Sequence, residues 1–185
     1  MHKLPNSATC FVCGDRNAAG LGVRFLTDGD RVTVTLVPRE PHMGYRGIVH
    51  GGVLTALLDE TMGWAPTVRT GRFCMAVELH IEFRRSVPVG VEITVTGWTT
   101  DTTKRIWTAE GEIRGADGTL YARGRGRYMP MPKDNAREVA DYLQYDDGCL
   151  GRERFVDDGV QAQTPPARVP DAAQDGADGR ATEPL

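Results

Sequence analysis

The sequence predicts an α+β protein in which an antiparallel sheet packs on one long helix. Three observations predict it. Runs of alternating apolar and polar residues recur along the chain, separated by Gly- and Pro-rich turns. One segment after residue 50 replaces that alternation with apolar residues at helical spacing. The resulting order is two strands, one long helix and then four strands, the pattern of a sheet folded onto a single helix.

Residues 21–27 (LGVRFLT) and 31–37 (RVTVTLV) alternate and flank Asp28-Gly29-Asp30, the signature of a hairpin. The loop PREPHMGYRG follows and leads to the helix, GGVLTALLDETMGW. Pro66 is expected to end or kink that helix near Ala65. Four strands come next, at 75–85 (MAVELHIEFRR), 91–100 (VEITVTGWTT), 105–115 (RIWTAEGEIRG) and 119–129 (TLYARGRGRYM). Pro88-Val89-Gly90 turns the chain between the first two, and Ala116-Asp117-Gly118 between the last two. After Pro130-Met131-Pro132, DNAREVADYLQY reads as a short amphipathic helix. From Asp157 the chain is Ala, Asp, Gly, Pro and Gln with almost no large apolar residue, and such a segment is expected to be disordered. The chain therefore divides into an N-terminal segment (1–20), a folded domain (21–132), a short C-terminal helix or extension (133–156) and an acidic tail (157–185).

With 40% hydrophobic and 25% charged residues in 185, the composition is that of one soluble globular domain. No run of 18 apolar residues would span a membrane, and MHKLPNSATC lacks the apolar core of a secretory signal. Four cysteines, Cys10, Cys13, Cys74 and Cys149, are too few for a disulfide framework, so a cytoplasmic location is expected. Residues 133–185 hold 6 Lys/Arg against 12 Asp/Glu, which leaves 16 against 13 in the rest. A folded part this mildly basic suits a small phosphorylated ligand but not a nucleic acid.

Residues 53–65 placed at helical spacing leave almost no solvated face. Asp59 falls on a strip of small residues, with Thr55 and Ala56 one turn before it and Gly63 one turn after. That strip leaves room beside the carboxylate for a substrate or a partner's backbone. Glu60 faces elsewhere, between Val53 and Trp64. At the start of the helix, Gly51 and Gly52 supply no Ser, Thr or Asp to cap the first N–H groups. Bare backbone at the positive end of a helix lets an acceptor oxygen approach and would stabilise a developing oxyanion.

HGGVLTALLDE resembles the signature of the hotdog-fold acyl-CoA thioesterases, specifically the PaaI-like branch, in which an acidic residue follows the His by nine positions, as Asp59 follows His50. The resemblance continues through VELHIEFRRSVPVG and covers about residues 10–130. It implies a curved antiparallel sheet wrapped round the central helix, and two subunits joined into one continuous sheet as a homodimer or a dimer of dimers. By the same resemblance, Asp59 is the nucleophile or the base that activates water, Gly51 N–H polarises the thioester carbonyl, and His50 orients the same end. Gly52, Thr55 and Gly63 would line the substrate site, with Arg84 and Arg85 as phosphate ligands for coenzyme A. Coenzyme A enters as part of the substrate, and neither a cofactor nor a metal is implied. Two departures stand out. Gly44 occupies the place of an Asn found six residues before the His in many relatives, and Ala76 that of a water-positioning Ser or Thr. They bear on the rate and the substrate more than on the reaction class. The alternative is a non-catalytic acyl-thioester-binding protein that kept the fold after losing positioning residues such as the Asn.

CFVCGDRNAAGLG resembles the N-terminal segment of one PaaI-like subgroup and reads as a structural turn covering the domain. Cys10 and Cys13 alone are two ligands short of a structural zinc site, so no zinc is expected. On the last strand Arg123, Arg125 and Arg127 share one face, and Ala122, Gly124, Gly126 and Tyr128 the other, the small face turned to the helix or a neighbouring sheet.

Overall fold

Alternation along the chain becomes a wholly antiparallel sheet in the computed structural model, which describes residues 1–156. The acidic tail lies outside the described residues. The elements are β1 (His2–Lys3), β2 (Leu26–Thr27), β3 (Arg31–Leu36), α1 (Gly51–Thr70), β4 (Cys74–Phe83), β5 (Ile93–Asp101), β6 (Trp107–Gly115), β7 (Leu120–Pro130), α2 (Lys133–Tyr142) and α3 (Glu153–Val156). The strands lie in the order β1-β2-β3-β5-β6-β7-β4. β4 thus leaves α1 and crosses to the far edge, where it pairs only with β7.

A row of glycines sets the depth at which α1 lies in the sheet. Gly97 of β5 pairs with Gly111 of β6, which pairs with Gly124 of β7. A Cβ on Gly97 would stand 2.8 Å from the Thr61 carbonyl oxygen, and one on Gly111 or Gly124 would stand 3.0 Å from Met62. With no side chain in that row, Leu57, Leu58 and Met62 are fully buried. The small face of β7 lies against the helix, as its alternation requires. Its outward arginines are paired or solvated, with Arg127 2.6 Å from Glu78 and Arg125 3.4 Å from Glu110.

Two elements differ from expectation. α1 does not end near Ala65 but runs through a buried Pro66 to Thr70. Pro66 removes one N–H, yet the hydroxyls of Thr67 and Thr70 donate back to the carbonyls of Gly63 and Pro66 at 2.9 and 2.7 Å. Burial on the sheet then outweighs the loss of one helical bond. The helix stops instead at Gly71, whose φ of 70° forms a left-handed C-cap. The first hairpin is also shorter than 21–27 suggests. Only Leu26 and Thr27 pair with β3, because Leu21 and Val23 donate their N–H groups to the carbonyls of Phe11 and Val12. The N-terminal segment claims that stretch. At the other end, Phe155 of α3 closes a cluster with Trp64 and Phe73, its ring 5.9 and 5.3 Å from theirs.

Candidate active site

The first turn of α1 is capped after all, by His50 itself. Its Nδ1 accepts the Gly52 N–H at 2.8 Å, which leaves Nε2 to carry the proton of the neutral ring. The expectation of an uncapped turn counted only Ser, Thr and Asp, and missed a histidine reaching forward two residues. The His50 carbonyl accepts from Val53 and Leu54 at 2.9 and 3.3 Å, and its N–H donates to His42. Gly51 N–H is left without an acceptor among the described residues. That orphan donor lies at the positive end of a twenty-residue helix.

Glycine is required around this turn for close approach. A Cβ on Gly52 would stand 2.9 Å from His50 Nδ1, and one on Gly44 3.1 Å from the His50 ring. The departure at Gly44 therefore sits directly against the capping histidine. Thr55 returns its hydroxyl to the Gly51 carbonyl at 2.9 Å. Phe83, 54% exposed at the end of β4, lies over Gly51, with ring carbons 3.3 Å from where a Cβ would stand. Beside the turn an open cleft of about 300 Å³ is lined by Ile48, Val49, Leu54, Phe83, Arg84 and Arg85, among others. Arg84 is tied to Glu82, whereas Arg85 forms no ion pair among the described residues. Both expected phosphate ligands thus line the cleft, and Arg85 has only the longer-range attraction of exposed Asp117.

Asp59 lies on the same helix, half-buried. Burial raises its pKa above the ordinary carboxylate value, and the Tyr128 hydroxyl partly offsets that. The same hydroxyl donates to the Asp59 backbone carbonyl at 3.2 Å. The strip of small residues is narrower than its composition suggests, because the Tyr128 ring packs 3.4 Å from the place a Gly63 Cβ would take. Eight residues separate Asp59 from Gly51, about 12 Å along the helix axis at 1.5 Å per residue. One carbonyl cannot touch both groups within a single subunit.

Glu60 is the residue that sequence reasoning underrated. It points into the contact between α1 and the N-terminal segment, where the Cys10 thiol lies 3.2 Å from its Oε2. Burial pushes the Glu60 pKa up to about 8. A bond from Cys13 holds Cys10 low, at about 5, while Cys13 is pushed up by the same shared contact and by burial. No periodicity links positions so far apart in sequence; the only available signal is the Cys-x-x-Cys pair itself.

A sheet curled round one buried helix, with His-Gly-Gly at the helix start and a half-buried aspartate two turns on, defines a hotdog-fold protein. The family model of the thioesterase superfamily matches residues 46–122, the span from the loop before α1 into β7. Over those residues the chain is similar to that superfamily. It is similar to a crystal structure of a thioesterase superfamily protein at 32% identity and a TM-score of 0.60, covering 65% of this chain and 60% of that one. The chain thus spans about 60% of the length of that relative. Escherichia coli PaaI, from the phenylacetic acid degradation operon, is 23% identical with a TM-score of 0.58, covering 64% and 86% of the two chains. The smu.793 protein of Streptococcus mutans, solved with acetyl CoA, is 17% identical with a TM-score of 0.54, covering 58% and 86%. These last two share the fold. No curated protein matches the sequence. No helix among the described residues is long and apolar enough to cross a membrane.

Proposed function

We propose that the protein is a PaaI-like acyl-CoA thioesterase whose active site forms between two copies of the chain. Asp59 of one subunit acts as nucleophile or as the base that activates water, and Gly51 of the partner subunit polarises the thioester carbonyl through its N–H. The observation that carries this reading is the separation of an orphan N–H donor from a half-buried carboxylate by about 12 Å of one rigid helix. A second copy brings the two halves together. The open edge of β4 supports the pairing: Met75 and Val77 are 57% and 54% exposed there, and the strand has no neighbour on that side among the described residues.

Attack on the carbonyl moves charge onto its oxygen, where a pre-aligned N–H and the helix dipole stabilise it. Either Asp59 takes a proton from the attacking water and returns it to the departing coenzyme A thiolate, or its carboxylate attacks. In the second route coenzyme A leaves as the thiolate that solvent protonates, and a water then cleaves the resulting anhydride to the free acid. Partial burial makes the carboxylate a stronger base than one in water. Coenzyme A as carrier is supported by Arg85, which lines the cleft without a close ion pair among the described residues, and by acetyl CoA in the Streptococcus relative. A non-catalytic acyl-thioester-binding protein is the second reading, favoured by Gly44 and Ala76 in place of positioning side chains. Thiol release from a panel of short, long and aromatic acyl-CoAs separates the two. Turnover of any member above the spontaneous rate supports hydrolysis; tight binding throughout with no release supports the binding protein.

A further inference from the structure

The contact between the N-terminal segment and α1 gathers three metal-ligating groups that the proposed hydrolysis does not use. The Cys10 and Cys13 sulfurs and a Glu60 carboxylate oxygen all lie within 4.8 Å of one another. A tetrahedral zinc ion, with bonds of about 2.3 Å to sulfur and 2.0–2.2 Å to oxygen, sets its ligand atoms roughly 3.5–3.8 Å apart. The Cys10 sulfur and Glu60 Oε2, 3.2 Å apart, are already close to that spacing. The turn is built to hold the sulfurs: Gly14 N–H donates to the Cys10 carbonyl at 3.1 Å, and a Cβ on Gly14 would collide with that oxygen at 2.4 Å. Val12 N–H donates to the Cys10 sulfur at 3.3 Å, a bond that favours a thiolate.

Charge points the same way. Glu60 has no Lys or Arg partner among the described residues, although it lies at a part-buried junction. Once ionised, a carboxylate and two thiolates gathered at such a junction need a cation to offset their charge. Two sulfurs and one oxygen select a borderline-soft ion over calcium or magnesium.

We propose that Cys10, Cys13 and Glu60 bind one zinc ion, which clamps the N-terminal segment to the central helix and leaves one position for water. The expectation of no zinc rested on two ligands; α1 supplies the third. The test uses the reduced full-length protein, stripped with chelator and then titrated with zinc or cobalt. Binding of about one ion per subunit is expected, with cobalt giving thiolate charge-transfer absorption and a chelator lowering the melting temperature. Glu60→Gln should weaken binding at least tenfold, and Cys10→Ser with Cys13→Ser should abolish it. Failure of the reduced wild-type protein to bind zinc at micromolar concentration would overturn the proposal. So would unchanged affinity in either variant, or a Cys10–Cys13 disulfide that forms while the reduced thiols bind nothing.

Discussion

Asp59 and Glu60 are adjacent in sequence and face different surroundings. Asp59 looks across to Tyr128 of β7, while Glu60 meets Cys10 and lies close to Cys13. Asp59→Asn keeps the shape of the side chain and removes the base, so kcat should fall about 10²-fold to 10⁴-fold with substrate binding retained. Glu60→Gln should cost much less turnover, and its effect should appear in the melting temperature instead. Steady-state rates on one hydrolysed acyl-CoA, with thermal melts alongside, check both. Equal loss of turnover in the two variants would place Asp59 among structural groups. The His-Gly-Gly turn and Asp59 are legible in the sequence because helical spacing fixes their relation along one element. The roles of His50 as cap and Glu60 as neighbour of two cysteines are not. The first is a side-chain rotamer, the second a contact across fifty residues of sequence.

At the scale of elements, the central helix and the last four strands follow directly from apolar periodicity. The exceptions have one cause: packing outweighs a local signal. Pro66 fails to stop α1 because the sheet buries the turn that contains it. Residues 21–25 alternate like a strand, but the N-terminal segment takes up two of their N–H groups first. The glycines of β5, β6 and β7 look like weak points in strands, yet they align across three strands only once register is known. Gly97→Ala tests that row. Its Cβ would meet backbone rather than a flexible side-chain tip, so the variant should lose about 1–3 kcal/mol of stability. Denaturant melts measure it, and an unchanged midpoint would show that α1 is free to rise from the sheet.

For the whole molecule, the arrangement of the sheet matters most. β4 emerges at its edge with apolar side chains facing outward, and the two halves of the proposed site lie at different heights on one helix. Strand alternation makes each strand legible but says nothing of their order, so the edge position of β4 came only from the structure. The central claim is that Asp59 and Gly51 act together across two subunits, and mixed dimers test it most directly. Gly51→Pro deletes the orphan N–H at a first helical position, where proline is well tolerated, and His50 before it is already extended. Asp59→Asn deletes the carboxylate. Each variant alone should be inactive. Mixed in equal amounts and allowed to exchange subunits, the two should recover about one quarter of wild-type turnover, because half the dimers hold one intact site. If the hybrid stays as inactive as its parents while its subunits demonstrably exchange, the two groups do not meet across the interface and the account is contradicted.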